Sequence, residues 1–108
     1  MPDLTNDESI EIFKALSNPT RLAILEWLKD PKHTFDPIKQ GDIDMDEVGV
    51  CVSQIREKST INQSTVSQYL SMLQRVNLLQ ATRIGKWTYY KRNEAYIQEI
   101  KELISQSL

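Results

Sequence analysis

The tightest constraint on this chain lies between Val52 and Arg92. Val52 and Ile55 set the inward side of a short helix over 52–58, and Ser59-Thr60-Ile61 is a tight turn. Asn62 caps a longer helix to about Val76, in which Val66, Leu70 and Leu73 fall at i, i+4 and i+7. The pattern then changes. LQATRI at 79–84 and WTYYKR at 87–92, rich in aromatic and β-branched residues, read as strands, with Gly85-Lys86 as the hairpin turn. On the second strand Trp87 and Tyr89 share one face and Thr88 and Tyr90 the other.

The flanks are helical. DESIEIFKAL at 7–16 has Asn6 as its cap, acids at its positive end and an apolar face from Ile10 and Phe13, three apart, and Ile12 and Leu16, four apart. Ser17-Asn18-Pro19 ends it. A second helix runs to about Lys29, and Leu22, Ile24, Leu25, Trp27 and Leu28 make it apolar around most of its girth, which predicts a central position with Trp27 in the core. Residues 30–50 break every period with Pro31, Pro37, Gly41 and Gly49. They read as a long acidic surface loop with a short strand near Gly49–Cys51. The last stretch, 94–108, places Ile97, Ile100 and Ile104 on one side, flanked by Tyr96 and Leu103. The expected fold is mainly α with a small β-hairpin, in the order α-α-α-α-β-β-α, as one domain over 1–108. A short helix, a tight turn and a second helix followed at once by a hairpin make a winged helix-turn-helix.

Composition excludes several classes. No apolar run approaches the ~20 residues of a membrane span, and the N-terminus lacks the basic start and apolar run of a secretory signal. One cysteine, Cys51, rules out an internal disulfide. A cytoplasmic protein is expected. No Gly-rich phosphate loop and no Ser/His/Asp set is present, so no enzyme and no cofactor is expected. The net charge is −2 but unevenly spread. Residues 1–51 hold eleven acids and five bases, whereas 52–93 hold seven bases and one acid, Glu57. On charge alone such a block is either a candidate electrostatic footprint for phosphates or a solvated basic face.

A major groove admits one α-helix, read by the residues at its N-terminal end. Those residues are Gln63, Ser64, Thr65, Ser67, Gln68 and Tyr69, all with hydrogen-bonding groups and none acidic. Three segments then resemble one family, the bacterial transcriptional repressors of the ArsR/SmtB type. FKALSNPTRLAILEWL at 13–28 matches the opening helix pair around "sNptRL-iL". NQSTVSQYLSMLQRVNLL at 62–79 matches the recognition helix "SQSTVSxHLxxLxxAGL". RIGKWTYYKRN at 83–93 matches the wing "R-x-G-r-x-x-Y-Y". The resemblance implies a homodimer on an imperfect palindrome of double-stranded DNA. It implies that the six recognition-helix residues face the groove and that Arg83, Lys86, Lys91 and Arg92 supply phosphate or minor-groove contacts. It also implies a dimer interface on the terminal helices, with Ile10, Phe13, Tyr96, Ile97, Ile100, Leu103 and Ile104.

The family's metal-sensing stretch "E-L-C-V-C-D-L" is Gly49-Val50-Cys51-Val52-Ser53-Gln54-Ile55 here, and no histidine follows His33. One thiolate does not hold a soft metal ion, so no metal site is expected and no effector is indicated. Cys51, near a helix start, is a candidate redox thiol against a buried apolar role. Asp42, Asp44 and Asp46 have the spacing of a calcium loop, but Glu47 replaces its glycine and Ser53 its bidentate glutamate. Arg21 fits either a structural ion pair or a phosphate contact. The alternative reading, motivated by the acidic half, is a winged-helix protein-interaction module without DNA binding.

Overall fold

The computed structural model describes residues 3–108; Met1 and Pro2, part of the start read for a signal, lie outside them. The order is α1 (Asp7–Leu16), α2 (Pro19–Trp27), α3 (Pro31–Thr34), a 3-10 turn (Pro37–Gln40), β1 (Val50–Cys51), α4 (Val52–Lys58), α5 (Gln63–Arg75), β2 (Leu79–Ile84), β3 (Trp87–Arg92) and α6 (Glu94–Ser107). Four helices start on asparagine. The side chains of Asn6, Asn18, Asn62 and Asn93 accept from backbone N–H groups of the first turns of α1, α2, α5 and α6. Each satisfies donors that the helix geometry leaves without partners.

The core is built by the periodic residues. Ile12 and Ala15 of α1, Ile24, Leu25 and Leu28 in and after α2, Ile55 of α4, and Val66, Leu70 and Leu73 of α5 are buried together with Leu78 and Leu79. Leu22, by contrast, is 49% exposed, so α2 is central on one side only. Trp27 packs half-buried against the core, with the Lys58 ammonium 5.3 Å from its ring. Arg21 is buried and makes neither an ion pair nor an open cationic surface. Its Nε donates to the Ala15 carbonyl at 2.6 Å and its Nη2 to that of Lys14 at 3.1 Å. These are carbonyls at the C-terminal end of α1, where a cation also suits the helix dipole.

The segment 30–50 departs from the expected surface loop. It holds α3 and the 3-10 turn, and it buries Phe35, Met45 and Gln40. Two buried glutamines tie it down. Gln40 Nε2 donates to the carbonyls of Ile43 and Gly49 at 2.9 and 2.8 Å, while its Oε1 accepts from Cys51 N. Gln54 of α4 accepts from Asp36 N at 3.2 Å and donates to Asp36 O at 3.1 Å. The acids near Asp44 are bound by a lysine of the same segment: Lys32 Nζ lies 3.0 Å from both Asp44 and Asp46. Backbone N–H donation from Glu47, then Lys32, holds the Asp44 carboxyl below the usual carboxylate range. His33 is exposed and paired with Asp30.

The segment ends in a third strand beside the expected hairpin. The sheet is antiparallel in the order β1-β3-β2, with Val50 opposite Tyr90 and Cys51 opposite Tyr89. Gly49 makes this possible. Its φ is +128°, and a Cβ there would lie 2.6 Å from both the carbonyl carbon and the carbonyl oxygen of Tyr90. Only a residue without a side chain lets β1 approach β3 this closely. Cys51 is buried, with Ser53 Oγ 3.2 Å from its sulfur. A disulfide to a second chain would require this buried thiol to be uncovered first.

The last helix packs on its own chain more than its terminal position suggests. Leu103 is buried, and Tyr96, Ile97 and Ile100 pack half-buried against the core. Leu103 is thus covered within one chain, where it lines a cavity between α1 and α6 together with Ile12 and Ile100. Tyr96 donates its hydroxyl to Glu8 of α1; burial, then Glu8, pushes its pKa up to about 12. The outward apolar side that remains comprises Ile10, at 40% exposure, and the half-buried Phe13 and Ile104.

Candidate nucleic-acid interface

The α4–turn–α5 unit is fixed from inside. Val66, Leu70 and Leu73 are fully buried, which turns the opposite side of α5 outward. At its start Asn62 Oδ1 accepts from the Ser64 N–H at 2.8 Å and also from the Ser64 hydroxyl. Gln63, Ser64 and Gln68 are exposed there, and Thr65 is half-buried. A polar helix end with open amides and hydroxyls can hydrogen-bond base edges, and its dipole favours a phosphate nearby.

Beyond the Ser64–Asn62 contacts within the cap, two of the six expected residues are engaged with other elements of the chain. Ser67 Oγ accepts from Arg56 Nη2 at 2.8 Å, linking α5 to α4. Tyr69 is half-buried against the core. The Arg21 guanidinium lies 4.9 Å from its ring centroid, and its hydroxyl accepts from Asn18 Nδ2 at 3.3 Å. Helical spacing explains the correction: Tyr69 is three residues after Val66, on the face already assigned to the core.

The end of α5 sets the wing. Asn77 adopts φ 65°, while Leu78 N–H donates to Leu73 O and Asn77 N–H to Gln74 O, both at 3.0 Å. This is the helix-ending pattern normally given to glycine, and asparagine tolerates it. β2 follows at once. At the far end of the hairpin Gly85, at φ 61°, and Lys86 form the two-residue turn that Ile84 and Trp87 close.

The expected wing cations divide into two groups. Lys86 has no hydrogen-bond or ion-pair partner among the described residues, and Arg83 reaches only the Gly85 carbonyl, at 3.1 Å. Lys91 donates to Glu47 O at 2.8 Å. Arg92 is the correction. Its side chain is 9% exposed, lies 2.9 Å from Glu94 and donates to Leu25 O, so it joins β3 to α6 and α2. Arg56 of α4 braces α5 through Ser67. It counted in the basic block, but its contact with Ser67, eleven positions away, has no local signature. Burial pushes the Tyr90 hydroxyl pKa up, and the nearby Arg56 charge opposes that shift.

This arrangement has close counterparts. The chain is 54% identical over 97 residues to YbzH of Bacillus subtilis, an uncharacterised HTH-type transcriptional regulator, covering 90% of this chain and 95% of that protein. The chain belongs to the HTH-type transcriptional regulators. SdpR of the same species, a transcriptional repressor, is 28% identical over 88 residues, covering 82% of this regulator and 79% of SdpR. No family model matches. Among solved structures, the homodimeric winged helix-turn-helix DNA-binding domain of Mb0332 from Mycobacterium bovis, a possible ArsR-family regulator, superposes with a TM-score of 0.61 at 26% identity. The match covers 92% of the regulator and 77% of that chain. NolR from Sinorhizobium fredii shares the fold, with a TM-score of 0.61 at 24% identity over 93% of the regulator and 83% of NolR. The regulator thus has the ArsR-type winged-helix fold, with a third strand and a docked acidic segment before the helix-turn-helix.

Proposed function

We propose that this regulator binds double-stranded DNA as a homodimer and represses transcription from an imperfect palindrome. The observation that carries the reading is the capped N-terminal end of α5, exposing Gln63, Ser64 and Gln68 on a stretch from Lys58 to Asn93 that contains no acid. Each α5 enters a major groove; Gln68 reads base edges, and Lys86 and Arg83 approach the flanking backbone. Ile10, Phe13 and Ile104 supply apolar surface for the second copy. Two recognition helices related by a two-fold axis then address half-sites roughly 34–36 Å apart. The homodimeric Mb0332 domain and the repressor SdpR support the dimeric and repressing parts of the reading.

Selection of bound duplexes from a random pool tests it. The expected result is a motif with two-fold symmetry, bound with an affinity that falls steeply with salt. Gln68→Ala should weaken that duplex by about 1–2 kcal/mol, within the range of one base contact, and leave the unfolding curve unchanged. A pool that yields no motif would overturn the reading in favour of a protein-interaction module.

A further inference from the structure

The wing tip carries an apolar pair that its own chain leaves open. Ile84 and Trp87 are directly opposed across β2 and β3, and they are 40% and 42% exposed. Opposed residues share a sheet face. Tyr89 lies on that face two residues from Trp87 and is buried. The face is therefore covered at its base and bare at its end. Cations flank the bare part: Lys86 lies in the turn itself, and Arg83 folds its side chain toward the Gly85 carbonyl.

An aromatic residue opposite a β-branched one steadies a hairpin. A Thr–Thr pair would also hold this register, without exposing apolar surface at the end of a basic finger. A partner that covers this tip must be anionic around an apolar centre. Duplex DNA has that composition: phosphates border the minor groove, and the apolar faces of the bases lie between its stacked steps, where a side chain that parts them finds apolar contact.

Resting on the DNA-binding reading above, we propose that Ile84 and Trp87 form an apolar wedge that enters the minor groove flanking each half-site and partly unstacks a base step there. Arg83 and Lys86 hold the phosphates on either side. Unstacking is least costly at pyrimidine–purine steps, so the wedge favours TA or CA/TG steps at a position no α5 side chain touches.

The test uses the full chain and the duplex that the wild type selects, end-labelled for energy transfer. The double variant Ile84→Ser, Trp87→Ser changes only exposed positions. It should bind about tenfold more weakly, as loss of a base-stacking side chain does. It should also leave the duplex straighter and keep the salt dependence, because no phosphate contact is removed. A parallel selection with the double variant should retain the half-site motif and lose the flanking pyrimidine–purine step. In a Trp27→Phe chain, where Trp87 is the sole indole, its emission should be quenched on binding. Equal duplex bending and equal flanking preference in the two proteins would overturn the wedge while leaving DNA binding intact, as would Trp87 emission that ignores DNA. A wild type that selects no duplex would overturn both proposals.

Discussion

The segment 36–51 and the helix α5 are both polar in sequence, yet their polar groups do opposite things. On α5 the apolar residues occupy one face, and Gln63, Ser64 and Gln68 are left to solvent. In the segment, Gln40 turns inward and binds three backbone groups that would otherwise lack partners. A glutamine on a periodic element is placed by its neighbours' hydrophobicity. A glutamine in an aperiodic stretch is placed by whichever backbone amides and carbonyls need it, and those belong to residues up to eleven positions away.

That contrast can be broken by substitution. The largest effect is expected from Gly49→Ala, which drives a Cβ into the Tyr90 backbone and strains a positive φ. Chemical denaturation should show a loss of about 3 kcal/mol. Gln40→Ala should cost about 2 kcal/mol, because it strands the Gly49 carbonyl and Cys51 N–H. Hydrogen exchange at residues 43–51 should rise first, ahead of α5. Lys86→Gln, on an open wing tip, should leave denaturation unchanged and reduce the slope of log affinity against log salt by about 0.9. The smallest effect concerns pH. Asp44 titrates below its ordinary value near 3.8, so its stabilising contribution is complete above that value and is lost as pH falls through the lower folded one. Asp44→Asn should flatten this acid limb in a pH series of unfolding midpoints.

Much of the fold was legible because it obeys local rules. The caps at Asn6 and Asn62, the apolar periods of α1, α5 and α6, and the Gly85-Lys86 turn act over a few residues, and each marked its element. The caps at Asn18 and Asn93 emerged only from the structure. Features requiring contact between distant positions were not legible. Arg21 closes the carbonyl end of α1 instead of facing an acid or a phosphate. Arg92 is absorbed by Glu94 and Leu25. Met45 and Phe35 enter the core from a stretch without any period. Tyr69 is different: the spacing that placed Val66, Leu70 and Leu73 inside also applied to it, and its hydroxyl disguised an inward position. For the candidate interface, Gln63, Ser64, Gln68, Arg83 and Lys86 could be located from sequence, while the contact of Arg56 with Ser67 emerged only when α4 was set against α5.

The left-handed residue at Asn77 leaves almost no slack between the end of α5 and the start of β2. The base of the hairpin is thereby tied to the end of α5 through the Leu78 N–H to Leu73 carbonyl bond. Under the dimeric DNA-binding reading proposed above, a signal that releases the regulator would act on the spacing and tilt of one such helix–hairpin unit relative to that of the second copy.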